Sequence, residues 1–204
     1  MHHLITQLKE RGVLKTPRII EAFESIDRAH FVPTDKKLEA YQNYPLAIGH
    51  GQTISQPETV AFMLELLQPD VGQTILDIGS GSGWQTALLS HVVGQYGNVY
   101  GMEIVKELAE TAVQNINTYG YITEDRTMIL AKSAEHGLPE HAPYDRIIGA
   151  ATVTHIPKVW TAQLANGGRL VVPVGESIVL LVKHTDERYE RHEYPGYLFV
   201  PFIS

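Results

Sequence analysis

Thr74-Ile75-Leu76-Asp77-Ile78-Gly79-Ser80-Gly81-Ser82-Gly83-Trp84 decides the fold. A short apolar run stops at alternating glycines and resumes as Gln85-Thr86-Ala87-Leu88-Leu89, the pattern of a buried strand turning sharply into a helix. The glycines permit positive φ and let a small molecule approach bare backbone. The first amides of the following helix lack internal partners and carry partial positive charge, which suits a carboxylate or phosphate. A dinucleotide fingerprint needs a third glycine where this chain has Trp84, so G-x-G-x-x-G fails by one position and a nicotinamide dinucleotide is disfavoured. The next apolar run, Asn98 to Met102, ends in Glu103, about twenty residues beyond the glycines, where a Rossmann-type site places an acid against ribose hydroxyls. This spacing fits an adenosyl ligand without a pyrophosphate. The bland alternative is an ordinary strand-to-helix turn with an incidental acid.

Upstream, residues 1 to 42 read as helical. Leu4, Ile5 and Leu8 share one face, and Thr16-Pro17 opens a second helix with Ile19, Ile20, Phe23 and Ile26 at helical spacing. A third short helix holds Leu38 and Tyr41, and Tyr44 to Ile48 runs on as extended loop. Then Gly49-His50-Gly51-Gln52-Thr53-Ile54-Ser55-Gln56-Pro57-Glu58 precedes an apolar helix from Thr59 to Leu67. Ser55 with Glu58 three places on makes a capping box, so Ser55 has a structural explanation beside a functional one.

Downstream, strand and helix alternate. A helix from Val105 to Asn117 is followed by strands at Thr127 to Leu130 and Tyr144 to Gly149. A helix from Pro157 to Leu164, stopped by Asn166-Gly167-Gly168, leads to a strand at Arg169 to Val174. Such alternation implies a parallel sheet covered on both faces. Beyond Gly175 the apolar runs Ile178 to Lys183 and Tyr197 to Phe202, joined by the charged stretch His184 to Glu193, read as an antiparallel finish. The fold class is therefore α/β and Rossmann-like, a mostly parallel sheet with an antiparallel C-terminal end and a helical N-terminal extension. Residues 1–56 form the extension and active-site loop and 57–204 the core, as one structural unit. Strand ends carrying Asp77, Glu103, Lys132-Ser133 and Ala150-Ala151 should line one crevice, because ligands of open α/β sheets lie beyond the carboxyl ends.

A chain of 204 residues with 44% hydrophobic content can bury one good core. Its net charge of −7, with acids and bases interspersed, argues against a nucleic-acid partner. The absence of cysteine excludes disulfides, thiol nucleophiles and thiolate metal sites. No pair among the ten histidines sits as H-x-H or H-E-x-x-H, so no metal site is expected. No leader-like segment or membrane-length apolar run is read, and the default expectation is a cytoplasmic protein with no membrane association. The sequence does not reveal the oligomeric state, and a monomer is the default.

Three stretches together resemble the protein-L-isoaspartate O-methyltransferase family: Ile48-Gly49-His50-Gly51-Gln52-Thr53-Ile54-Ser55-Gln56-Pro57, then Leu76 to Gly83, then Gln163-Leu164 through Gly167 to Gly175. The resemblance runs from Ala29-His30-Phe31-Val32-Pro33 to Phe199-Val200-Pro201-Phe202. The Gly-Ser-Gly-Ser-Gly turn is common to many S-adenosylmethionine-dependent methyltransferases, whereas Gln52 to Pro57 is much more specific. The resemblance implies S-adenosyl-L-methionine as cofactor, and as substrate the α-carboxylate of an L-isoaspartyl residue in a protein or peptide. The resulting ester can collapse to a succinimide and reopen as normal aspartate.

In the family the loop at Thr53, Ile54 and Ser55 closes over the cofactor, and its serine lies at the active site. The cofactor candidates are then Thr53, Ile54, Asp77, Gly79, Ser80, Gly81, Gly83, Glu103, Ile104 and Ser133, with Ser55 as the catalytic candidate. Gly79, Ser80 and Gly81 would meet the methionyl part and Glu103 the ribose. Asp77 acts either through the amino group or by ordering its turn, and the segment near Val200 helps hold substrate or is simply an edge strand.

The chain departs from the family where Lys132-Ser133-Ala134 replaces Gly-Asp-Gly beside the adenine, a change that bears on cofactor affinity. Trp84 replaces a common tyrosine and keeps an aromatic wall. Two other readings stay open: the same chemistry on another carboxylate, such as an aspartate in a peptide natural product, and a cofactor-binding module with little turnover.

Overall fold

The first two helices, α1 (His2–Glu10) and α2 (Pro17–Ser25), turn their apolar stripes inward, burying Leu4, Ile5 and Leu8 from one and Ile19, Ala22 and Phe23 from the other. The architecture comes from a computed structural model that describes residues 1–122, 126–184 and 188–204. Each buried aliphatic or aromatic side chain contributes roughly 1.5–3 kcal/mol, and that docking sustains helices too short to persist alone. Two 3-10 turns follow, Arg28–Phe31 and Thr34–Glu39. The second stands where a third helix is expected; it buries nothing, and Leu38 is 96% exposed. The stretch read as extended loop forms a hairpin, β1 (Leu46–Gly49) pairing antiparallel with β2 (Gln52–Ile54).

The capping box at α3 (Pro57–Leu67) is not formed. Gln56 is the N-cap, and no side chain caps it. Glu58 instead accepts hydrogen bonds from Arg11 at 2.8 Å and from Asn43 Nδ2 at 2.6 Å, while the Glu58 amide donates to Asn43 Oδ1 at 3.0 Å. Residues of the N-terminal extension thus supply the partners that a local cap would have given.

The remaining elements are β3 (Thr74–Ile78), α4 (Trp84–Val93), β4 (Asn98–Glu103), α5 (Lys106–Asn117), β5 (Thr127–Ala131), β6 (Tyr144–Gly149), α6 (Lys158–Ala162), β7 (Leu164–Val174), β8 (Ser177–Lys183) and β9 (Tyr189–Pro195). They build a seven-stranded sheet in the order β5-β4-β3-β6-β7-β8-β9. It is parallel from β5 to β7 and antiparallel through β8 and β9. Alternating side chains divide the core between the two faces. Ile75, Val99, Ile148 and Val171 pack with α1 to α5, whereas Leu76, Met102, Ile147 and Val172 pack with Trp160 of α6.

Two sequence expectations give way near the C-terminus. The helix expected to reach Leu164 is only five residues long, and Asn166-Gly167-Gly168 lies within β7 rather than stopping a helix. The last strand is not Tyr197 to Phe202 but Tyr189–Pro195, drawn from the charged stretch, of which residues 185–187 lie outside the described residues. As the edge strand, β9 leaves Glu190, Arg191, His192 and Glu193 exposed, the usual defence of a sheet edge. The apolar Tyr197 to Phe202 run crosses the carboxyl end of the sheet instead. There the Thr152 amide donates to the Val200 carbonyl at 2.8 Å, and the Phe202 amide donates to the Thr152 carbonyl at 2.9 Å.

Candidate active site

The carboxyl ends of four parallel strands surround one cavity, as expected. Gly79 and Gly81 follow β3, Met102, Glu103 and Ile104 close β4, Lys132 and Ala134 follow β5, and Ala150 and Ala151 follow β6. Gln52 and Thr53 of β2 and the crossing segment Val200 to Ile203 complete the wall. A second cleft adjoins it, lined by Pro45, Ser55, Gln56, Thr59 and Tyr197 among others, and it shares Thr53, Ala150 and Val200 with the first.

The glycine turn is shaped by strand β4. Gly79 and Gly81 adopt φ of 79° and 54°. The Gly79 and Ser80 amides donate to the Met102 carbonyl at 2.8 and 3.1 Å, and the Gly81 amide donates to Glu103 Oε2 at 2.8 Å. The amides of these three turn residues, which are expected to meet the methionyl part, are therefore held internally. Glu103 Oε1 accepts from the Val105 amide at 2.9 Å, yet each carboxylate oxygen retains a further acceptor site on the cavity wall. A Cβ on Gly79 would stand 4.0 Å from that of Ala151 across the crevice, and one on Gly81 would come 3.2 Å from Ile48 Cδ1. The bare floor and the single acid among the described lining residues fit an adenosyl sulfonium: the ribose diol needs an acceptor, and the positive sulfur tolerates an acid.

Of the candidate residues, Thr53, Gly79, Gly81, Glu103 and Ile104 reach the cavity wall, and Ser55 reaches the adjoining cleft. The others lie off the wall. Asp77 is fully buried, its Oδ1 accepting from Gln85 Nε2 at 2.7 Å and its Oδ2 from Thr86 Oγ1 at 2.6 Å. Burial pushes its carboxyl up to about 6 against the help of those two donors. It ties β3 to the first turn of α4, the turn-ordering alternative. Gly83 faces α5, where a Cβ would meet Ile116 and Ala112 at 3.0 and 3.1 Å. Ser80 is buried beside Gly101, and Ile54 sits in the core at 5% exposure. Ser133 Oγ accepts from the Glu135 amide at 3.1 Å, leaving its neighbours Lys132 and Ala134 on the wall.

Trp84 is not an aromatic wall of the cavity. It is buried edge-on against Phe23 of α2, with ring centroids 5.5 Å apart, because the first residue of α4 points into the helical extension. Over its ring lies Arg28, which sequence reasoning passes over because a charged residue at a turn ordinarily reads as solvated. Arg28 is wholly buried, and desolvation lowers its guanidinium to about 10, still cationic at neutral pH.

A family model for protein-L-isoaspartate(D-aspartate) O-methyltransferase matches residues 1–204. The chain belongs to this family. A protein-L-isoaspartate O-methyltransferase of Aeropyrum pernix is 41% identical, over 98% of this chain and 78% of its own length. One from Methanopyrus kandleri is 38% identical, over 98% and 90%. A solved protein-L-isoaspartate O-methyltransferase superposes with a TM-score of 0.89 at 28% identity, covering all of this chain and 66% of the other. A Plasmodium falciparum structure in complex with S-adenosyl-L-homocysteine shares the fold at TM-score 0.87 and 24% identity, over 98% of this chain and 97% of that one. Among the described residues, no helix is long and apolar enough to cross a membrane, and no group of three or more metal-ligating side chains is placed to hold an ion.

Proposed function

We propose that this member of the family transfers a methyl group from S-adenosyl-L-methionine to the free carboxylate of L-isoaspartyl residues in damaged proteins or peptides. One observation carries the reading: the cavity suited to an adenosyl donor and the neutral cleft holding Ser55 share Thr53, Ala150 and Val200, so donor and acceptor can meet across a common wall.

When bound, the donor supplies an electrophilic methyl on a sulfonium, which departs as a neutral thioether while a carboxylate oxygen takes the methyl. The protein's tasks are correspondingly modest. A free α-carboxyl has a pKa of roughly 3.5 and is ionised at neutral pH, so no general base is needed. Glu103 accepts from ribose hydroxyls, and Gly79 and Gly81 leave room for the methionyl chain. Among the described residues the Ser55 hydroxyl has no protein partner, which leaves it free to donate to the acceptor carboxylate and fix its direction. Thr53 and the crossing segment at Val200 keep water from the junction, where reacting atoms must be held in line at about 3–3.5 Å.

Incubation with labelled S-adenosyl-L-methionine and an isoaspartyl peptide should give multiple turnovers, and transfer no greater than to the aspartyl control rejects the reading. Ser55→Ala should lower turnover tenfold or more while S-adenosyl-L-homocysteine affinity, read by calorimetry, stays within about twofold. A folded variant with unchanged turnover removes Ser55 from the chemistry.

A further inference from the structure

Ser55 stands one residue outside the hydrogen-bond ladder of α3, whose first internal bond runs from the Val60 amide to the Gln56 carbonyl. Its own carbonyl is claimed by Arg28, whose Nη2 donates to Ser55 at 3.1 Å and to the Tyr44 carbonyl at 3.2 Å, while Nη1 donates to the Ala40 carbonyl at 2.7 Å. Tyr44 precedes Pro45, a wall of the acceptor cleft, and the guanidinium carbon lies 5.3 Å from the ring centroid of Trp84 at the start of α4. One planar fork thus joins Ser55, the cleft wall and the helix that follows the glycine turn. Among the described residues no carboxylate forms an ion pair with this cation. A buried unpaired charge is expensive, and apolar residues of similar volume often replace such groups without loss of stability. An apolar residue could fill the space, but it could not hold the carbonyl of Ser55.

We propose that Arg28 is a positioning residue for methyl transfer, fixing the peptide plane after Ser55 and thereby the direction of the Ser55 hydroxyl without itself touching substrate. The inference rests on Ser55 acting on the acceptor carboxylate. Releasing the carbonyl frees ψ of Ser55, and a misplacement of about 1 Å at a reacting centre costs up to about 100-fold in rate. Lysine retains the charge but not the planar fork that reaches three carbonyls.

The test is a double-mutant cycle of Arg28→Lys with Ser55→Ala, reading turnover at saturating isoaspartyl peptide, S-adenosyl-L-homocysteine affinity by calorimetry, and thermal unfolding. Arg28→Lys should slow turnover about 10- to 100-fold with donor affinity within about twofold, yet add less than about twofold in the Ser55→Ala background. If the lysine variant does not fold, Arg28→Met carries the same cycle. If neither folds, Arg28 is a folding residue and the proposal falls. A slow Ser55→Ala on which the arginine change adds its full factor overturns the positioning role alone, as does a folded Arg28→Lys with wild-type turnover. A Ser55→Ala variant with wild-type turnover sinks the Ser55 reading itself, and the positioning role with it.

Discussion

Replacing Asp77 with asparagine tests what the buried acid beneath the glycine turn does for the fold. Its side chain has no exposure, so its charge is desolvated, and the donors from Gln85 and Thr86 offset only part of that cost. The rise from an ordinary 3.8 to about 6 corresponds to about 3 kcal/mol at 1.36 kcal/mol per pH unit. An acid whose folded pKa lies above its unfolded value stabilises the fold most below about pH 3.8, and that stabilisation is lost as pH rises through about 6. Asparagine keeps the shape, and the Gln85 amide can flip to accept from its Nδ2. Because the variant does not titrate, the wild-type-minus-variant difference isolates Asp77 from every other carboxylate. Urea unfolding of both proteins at intervals from about pH 4 to pH 7 should show that difference moving in favour of Asp77→Asn by about 2–3 kcal/mol, most of it below about pH 6. A difference flat across that range refutes the claim that desolvation dominates at this residue.

Glu103→Gln leaves one acceptor for two backbone donors, the Gly81 and Val105 amides, and sets an NH₂ against one of them at a cost of about 1–3 kcal/mol. S-adenosyl-L-homocysteine affinity should fall tenfold or more by calorimetry, and wild-type affinity would remove Glu103 from donor binding. Gly81→Ala forces a side chain into positive φ and towards Ile48 at 3.2 Å, so donor affinity should drop with a loss of roughly 1–2 kcal/mol in chemical unfolding. Gly83→Ala also takes a positive φ and meets Ile116 and Ala112, so overpacking of about 1–3 kcal/mol adds to a strain of roughly 1–2 kcal/mol while donor affinity per folded molecule is kept. Equal losses of donor affinity in the two glycine variants would contradict the division between cavity floor and helix contact.

The central sheet is legible because its inner strands carry short apolar stretches bounded by turns and helices, and Tyr144–Gly149 begins and ends where the pattern says even though Asp145 and Arg146 interrupt it. Patterning misleads where tertiary partners override local chemistry. Ser55 and Glu58 have the spacing of a capping box, but Arg11 and Asn43, distant in sequence, take the glutamate. Tyr197 to Phe202 is apolar because it roofs two cavities, not because it pairs as a strand, and the strand that does pair is charged because one of its edges faces water. The glycine turn shows the same limit: its positive φ angles were readable, but the capture of its amides by Met102 and Glu103 depends on the register of β3 against β4. Arg28 carried no sequence signal, since its three acceptors are main-chain carbonyls, which any residue supplies.

The placement of charge follows from the reaction. Methyl transfer from a sulfonium to a carboxylate consumes one positive and one negative charge, so strong solvation of either reactant stabilises the ground state more than the transition state. Every residue on the wall of the proposed acceptor cleft among those described is uncharged, and Ser55 and Thr59 offer only hydroxyls. A lysine or arginine there would grip the carboxylate and blunt it as a nucleophile, whereas one neutral hydroxyl aims it at smaller cost to reactivity. The buried ionisable groups that remain stand behind the walls: Asp77 under the glycine turn and Arg28 behind Ser55, each bound to groups that shape the main chain. Of the buried charged groups Glu103 alone reaches the cavity, beside the exposed Lys132, and its proposed partner is the ribose, a group whose charge does not change during the reaction. The proposed acceptor cleft is thus neutral while Glu103 and Lys132 line the donor cavity, and no catalytic dyad is needed because the acceptor carboxylate is already ionised at neutral pH.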